Sequence, residues 1–363
     1  MKLPVVTVIT ATFNLINGGR EKSIVQAIES VQSQDYEGCI EHIVIDGASD
    51  DGTLELLEPF ERKGWITLYS EKDSGIYDAM NKGIAKASGK YVVFLNSDDR
   101  WIDRHGITES VNALEAESAD FSFAPELVEE CDNVFEMRPH SLQEFYFRMP
   151  FGHQSMLVRT EVLREFGGFD SARYRIAADY DFFLKIMLAG KKAVFVDRSF
   201  CLFRKGGVSD NTFRTFQEYV EIIYSNIGKL HKITKEECYA LFMRYAYFSS
   251  IEEKCISMAH VGNKKYFSSN VIDKLGYDVL FKKNIFRSYF GHRIKILFLR
   301  GEKKEYTQWK IDFEKKIIAS CKRRSFRVLG LPVFETYERD NICSFHILGI
   351  PLITQLKAKK KEH

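Results

Sequence analysis

Asp98 and Asp99 follow almost directly on Tyr91-Val-Val-Phe-Leu95, an apolar run rich in β-branched and aromatic residues that reads as a buried strand, with Asn96 and Ser97 between. Open α/β sheets bind ligands at the carboxyl ends of their strands, so two carboxylates placed there face a crevice. Hard divalent cations take oxygen ligands. Mg²⁺ or Mn²⁺ commonly uses one or two protein carboxylates, and substrate phosphates complete the shell. Asp98 and Asp99 are therefore candidate ligands for Mn²⁺ or Mg²⁺. The plain alternative is a turn, in which Asn, Ser and Asp are all frequent.

A sheet must hold such a site. Residues 5–10 read as a buried strand, Ala11 to Gly19 as a polar turn, and Ser23 to Gln34 as a helix with Ile24, Ala27, Ile28 and Val31 at helical spacing. His42 to Ile45 is a second strand, ending in Asp46-Gly-Ala-Ser-Asp-Asp-Gly52. Thr53 to Phe60 then reads as a helix, Ile66 to Ser70 as a strand, Ile76 to Ala87 as a helix and Tyr91 to Leu95 as a strand. This alternation predicts a Rossmann-like α/β fold with a mainly parallel sheet and flanking helices. No GxGxxG follows the first strand. Gly83 to Tyr91 only approximates a P-loop, with five residues between its glycines and Tyr91 where Ser or Thr is needed. Dinucleotide redox chemistry and P-loop hydrolysis both lose their main support.

At 363 residues the chain exceeds what one hydrophobic core usually fills, and its 45% hydrophobic fraction is that of a globular protein. Charge is unevenly spread. Residues 1–210 carry 23 Lys+Arg against 34 Asp+Glu, and residues 211–363 carry 29 against 16, so halves of −11 and +13 underlie the overall +2. Three regions are expected: an α/β catalytic domain over 1–210, a mostly helical basic region over 211–325, and a short repeat appendage with a basic tail over 326–363. Seven cysteines without a CxxC pair or a dense framework predict reduced thiols in a cytoplasm and no zinc site. The amino terminus enters the first strand without a signal-peptide pattern. No apolar run approaches the ~20 residues that span a bilayer, so a soluble or peripheral protein is expected.

The strand ends Thr10-Ala-Thr12-Phe-Asn14, Asp46 and Asn96-Ser-Asp98-Asp99 resemble those of the inverting, GT-A type glycosyltransferases of family 2. The resemblance is to the branch acting in bacterial surface polysaccharide assembly. Eight ordered segments carry it between residues 3 and 210: VITATFN, VIDGASDDGT, GIYDAMNKGI, GKYVVFLNSDD, GHQSMLVR, FGGFD, IAADYDFFLKI and FRKGGVS.

The resemblance implies a reaction in which a sugar nucleotide, a UDP-sugar before a GDP- or dTDP-sugar, gives its sugar with inversion to a glycan or lipid-linked acceptor. Charge collects on the leaving diphosphate, which Mn²⁺ or Mg²⁺ held by Asp98 and Asp99 would neutralise. By the same resemblance Asp46 accepts a hydrogen bond from the base, and Thr10, Thr12 and Asn14 line the nucleoside pocket. Asn96 and Asp98 meet ribose and metal, and Asp179 is the general base for the acceptor proton. Asp181 competes for that role. Both acids have a structural alternative at the amino end of a helix expected over Phe182 to Ala189. His153 and Gln154, ahead of a strand expected over Ser155 to Val158, fall on the acceptor or diphosphate side. So do Arg204 and Ser209, in a loop whose glycines would allow it to close. A packed histidine and a plain surface turn are the alternatives. Two positions depart from the family pattern. Asn96 stands where many members have Asp, and Met80 where many have Arg, which leaves Lys72, Lys82, Arg204 and Lys205 as substitute phosphate contacts.

The basic second half suits an anionic membrane surface better than nucleic acid, for which no reader motif is present. Phe281 to Lys304 interleaves eight Lys+Arg and one Glu with aromatic and aliphatic residues, the pattern of an interfacial amphipathic helix. A helix packed on the catalytic domain with a solvated basic face is the alternative. Phe326-Arg-Val-Leu-Gly-Leu-Pro-Val-Phe and Phe345-His-Ile-Leu-Gly-Ile-Pro-Leu-Ile, 19 residues apart, predict a β-hairpin-like appendage. The expectation is a cytoplasmic enzyme, peripheral on the inner face of the plasma membrane, serving capsule, exopolysaccharide or lipopolysaccharide synthesis. Two rivals remain. One is a noncatalytic scaffold of the same fold, favoured by Asn96 and Met80. The other is a nucleotidyltransferase, which also works through carboxylate-bound metal.

Overall fold

The computed structural model describes residues 3–130, 133–138, 149, 151–206, 212–229, 235, 305, 308 and 312, together with strand residues 322–328, 331–339, 342–347 and 350–356. They belong to two compact units, one running to Glu218 and the other beginning at Tyr219.

In the first unit β1 (Val6–Thr12), β2 (Ile40–Asp46), β3 (Thr67–Ser70) and β4 (Tyr91–Phe94) alternate with α1 (Glu21–Gln32), α2 (Thr53–Arg62) and α3 (Ile76–Lys86). Helices cover both faces of these strands, so each of β1, β2 and β4 is a nearly continuous apolar run in which Val8, Ile9, Val44, Ile45, Val92 and Val93 are buried. Gly83 lets α3 lie close on β1, because a Cβ there would stand 2.5 Å from Ile9 Cγ2. The chain continues through β5 (Arg100–Trp101), α4 (Gly106–Glu117), β6 (Phe121–Phe123), β7 (Glu126–Glu130), β8 (Asn133–Met137), β9 (Val158–Arg159), α5 (Thr160–Glu165), α6 (Ala178–Leu188), β10 (Ala193–Phe195), β11 (Cys201–Arg204) and α7 (Thr212–Ile223).

The large sheet has the order β10-β6-β9-β4-β1-β2-β3. Only β9 runs antiparallel to its neighbours, so the sheet is mainly parallel, as the alternation predicts. A smaller sheet, β5-β11-β7-β8, sits beside it in the same unit. Two expected elements are corrected. A single 3-10 turn over His153–Ser155 takes the start of the strand expected over Ser155 to Val158, leaving Val158–Arg159. The helix expected from Phe182 begins four residues earlier at Ala178, which puts Asp179 and Asp181 inside its first turn.

In the second unit β12 (Lys322–Val328), β13 (Leu331–Arg339), β14 (Ile342–Ile347) and β15 (Ile350–Leu356) form an antiparallel meander. The sequence repeat falls on its first and last hairpins. Phe326 stands opposite Phe334, and the equivalent Phe345 opposite Ile353, with a register shift after each phenylalanine. The basic segment Phe281 to Lys304 and the tail from Lys357 lie outside the described residues. Among the described residues no helix is long and apolar enough to cross a membrane.

Candidate active site

Parallel β1, β2 and β4 end side by side, and the groups at their carboxyl ends share one edge of the sheet. Asp46 is fully buried there. Its Oδ1 accepts from Thr12 Oγ1 (3.2 Å) and Ser49 Oγ (2.5 Å), and its Oδ2 from the Ser49 N–H (2.8 Å) and Ser70 Oγ (2.8 Å). One carboxylate thus ties together the ends of β1, β2 and β3. Asn14, held in the left-handed region at φ 44°, exchanges two hydrogen bonds with Asp50 of the following acidic loop. Thr10 is corrected. It is buried 3.0 Å from His42 Nε2, and burial drives His42 down to about 3, which keeps the ring neutral.

Phe13 was missed by the sequence reading. It is 62% exposed, and a Cβ on Gly47 would stand 3.1 Å from its ring and 2.8 Å from Asp73 Oδ2. An aromatic side chain on a polar turn straight after a buried strand is the signal that could have found it, since core packing does not call for it there.

The second half of the site is a hydrogen-bonded chain. Asp99 is buried, with Oδ1 accepting the Arg204 N–H (3.0 Å) and Oδ2 accepting the side-chain amides of Asn96 (3.0 Å) and Gln154 (2.6 Å). Burial, and then the neighbouring Asp98 charge, push the Asp99 carboxyl up to about 6. Asp98 is more open and lies 3.6 Å from the Arg20 guanidinium at the head of α1. Asn96, oriented by its donation to Asp99, turns its oxygen to His153 Nε2 at 3.4 Å. His153 Nδ1 in turn lies 2.9 Å from Asp179 Oδ2. Asp179 Oδ1 accepts the Tyr77 hydroxyl (2.9 Å) and the Tyr180 N–H (2.8 Å).

Asn96, Asp99, His153, Gln154, Asp179 and the Arg204 backbone are therefore joined in one network, and Asp98 stands next to it. Asp181 is not part of it, for it pairs with Lys185 one turn on at 2.5 Å. The cations expected to replace a phosphate-binding arginine are mostly committed: Arg204 to Glu129 (2.8 Å), Lys205 to Glu130 (2.9 Å) and Lys82 to Glu71 (3.6 Å), while Met80 is a core residue. Ser209 lies outside the described residues. Arg20 and Tyr77 were missed because their roles depend on which distant chain segments they meet.

Glu126, at the start of β7, is also buried against the network. Burial, reinforced by the Asp99 charge, pushes its carboxyl up to about 8. The Gly152 N–H donates to it, and a Cβ on Gly152 would stand 2.1 Å from Glu126 Oε2 and 2.4 Å from Gln154 Oε1. Neither of those two oxygens has a hydrogen-bond partner among the described residues. A proton on Glu126 would supply a donor that these two acceptors lack.

Among the described residues no three His, Cys, Asp or Glu side chains converge as a metal cage. The donors suit a hard cation that completes its shell with phosphate oxygens, because Asp98 keeps its carboxylate on the open side while both Asp99 oxygens are engaged by protein donors.

Comparison with known proteins agrees with the fold. The family described as "Glycosyl transferase family 2" matches residues 7–205. An "Uncharacterized glycosyltransferase" of Mycobacterium tuberculosis is 36% identical over 189 residues, 51% of this chain and 70% of that one. The "Putative teichuronic acid biosynthesis glycosyltransferase TuaG" of Bacillus subtilis is 24% identical over 253 residues, 67% of this chain and 96% of that one. Among solved structures, S. aureus TarS 1-349 in complex with UDP-GlcNAc superposes with a TM-score of 0.52 at 19% identity, over 93% of this chain and 97% of that one.

Proposed function

The chain belongs to glycosyl transferase family 2, and from that membership we propose that it is a metal-dependent, inverting glycosyltransferase of bacterial surface glycan biosynthesis, using a nucleotide-sugar, UDP-sugar first, and a glycan or lipid-linked acceptor. The observation that carries the reading is the network from Asp99 through Asn96 and His153 to Asp179, which links the diphosphate side of the crevice to an acid suited to the acceptor side. In this reading the acceptor oxygen bonds to the anomeric carbon as the bond to the diphosphate breaks, and the acceptor proton passes to Asp179. His153 and Tyr77 orient the Asp179 carboxylate, one at each oxygen. Asp98 would be the direct ligand for Mn²⁺ or Mg²⁺, with Asp99 bracing the strand end behind it. The cation, when bound, supplies Lewis-acid stabilisation of the leaving diphosphate.

Phe13 offers its face to the base, beside Thr12, Asn14 and Asp46. Residues 1–210 would form the catalytic domain. The basic composition of 211–325 supports peripheral attachment to an anionic inner membrane face, where lipid-linked acceptors reside.

The test is calorimetric titration of the protein with UDP, GDP and dTDP, first with Mn²⁺ and then with EDTA. Binding of one nucleotide is expected to need the metal, and Asp98→Ala is expected to weaken it by about tenfold or more. Absence of binding to any nucleotide under both conditions would favour a noncatalytic scaffold, and release of diphosphate from a nucleoside triphosphate a nucleotidyltransferase. In the same titration Phe13→Ala is expected to lower nucleotide affinity by roughly fivefold or more, the low end of an aromatic stack on a base. An unchanged Kd would remove Phe13 from the pocket.

A further inference from the structure

Helix α6 begins at Ala178 without a side-chain cap of its own. The preceding residue, Ala177, has no polar side chain, and its backbone (φ −125°, ψ 27°) is not yet helical. The first-turn acids that usually serve such a helix end are turned elsewhere, Asp181 to Lys185 and Asp179 to Tyr77 and His153, although Asp179 also takes the Tyr180 N–H. The N–H groups ahead of the helix are held from a distance. Glu218, on α7, accepts three of them: Oε1 from Arg175 and Oε2 from Ile176 and Ala177, each at 2.9 Å. The Tyr77 hydroxyl, with one proton to share, lies 2.7 Å from the Ile176 carbonyl oxygen and 2.9 Å from Asp179 Oδ1, and so sits between the segment and the carboxylate.

We propose that Glu218 is a positioning residue for Asp179: its carboxylate fixes residues 175–177 and so sets the direction in which the Asp179 carboxylate is presented to the acceptor. The inference rests on the reading of Asp179 as proton acceptor. Three charge-assisted N–H bonds to one acceptor-only group leave the segment that leads into Asp179 little freedom. A glutamine cannot stand in, because its amide nitrogen would face backbone N–H donors. A misplacement of about 1 Å at a reacting group can cost on the order of 100-fold in rate.

The experiment measures UDP release from UDP-glucose and UDP-N-acetylglucosamine, with water as acceptor, in Glu218→Gln, Asp179→Asn and the double variant, alongside calorimetric UDP affinity with Mn²⁺. Glu218→Gln is expected to lower kcat by about 10- to 100-fold with UDP affinity unchanged, and to add no further loss in the Asp179→Asn background. Wild-type kcat in Glu218→Gln, with Asp179→Asn inactive, overturns the positioning role alone. Full activity of Asp179→Asn overturns the reading of the base instead. Should the glutamine variant fail to fold, Glu218→Asp decides: it keeps the charge but shortens the reach, so reduced kcat at unchanged UDP affinity supports the role and wild-type kcat removes it.

Discussion

Asp179→Asn is expected to slow UDP release from the sugar donor by about 10²- to 10⁴-fold, the range that a positioned general base contributes. The substitution is nearly isosteric and keeps one oxygen for the donors that surround the carboxylate, Tyr77, His153 and the Tyr180 N–H. What it removes is the capacity to take a proton. A loss confined to kcat, with calorimetric UDP affinity unchanged, is the mark of an interaction made in the transition state. An equal loss in nucleotide binding would instead place Asp179 against the donor. Near-normal turnover would move the base elsewhere, with His153 the next group to test because its ring lies between Asp179 and Asn96.

Most of the parallel sheet was legible because each strand combines a continuous apolar run with a polar, acidic end, and the helices between carry apolar residues at helical spacing. Asp46, Asp98 and Asp99 were legible for the same reason, as acidic ends of apolar strands, whereas Asp179 was singled out only through the family resemblance. What they do was less so. Asp98 and Asp99 are equivalent in sequence, and only the arrival of Gln154 and the Arg204 N–H from other segments makes one buried and the other open. Thr10 reads like Thr12 along β1, yet its partner is a core histidine. The early start of α6 was hidden because the segment just ahead of it is held by Glu218, about forty residues further along, and no local side-chain cap announces it. The smaller sheet β5-β11-β7-β8 is built of strands of two to five residues, too short for periodicity to reveal.

Glu126→Gln is expected to make the protein more stable than wild type at pH 7, by roughly 3 kcal/mol in urea unfolding. The sign follows from burial. In the folded state the carboxyl is pushed from its ordinary 4.5 up to about 8, first by burial and then by the Asp99 charge. The folded chain therefore holds a proton that the unfolded chain releases above pH 4.5, so this group's stabilising contribution is complete below that pH and is lost progressively as pH rises toward 8. Glutamine is the permanent analogue of the protonated acid: its carbonyl keeps the Gly152 N–H, and its amide gives Gln154 Oε1 the donor it needs. The groups facing position 126 are Asp99, Gln154, Gly152 and Cys201, and none of them supplies a cation to hold an ionised carboxylate. The advantage of the variant should fade as the pH is lowered toward 4.5 and level off above 8. Parallel pH dependence of the two proteins between those values would show that Glu126 is ionised in the folded state, and that Gln154 Oε1 takes its proton from another donor.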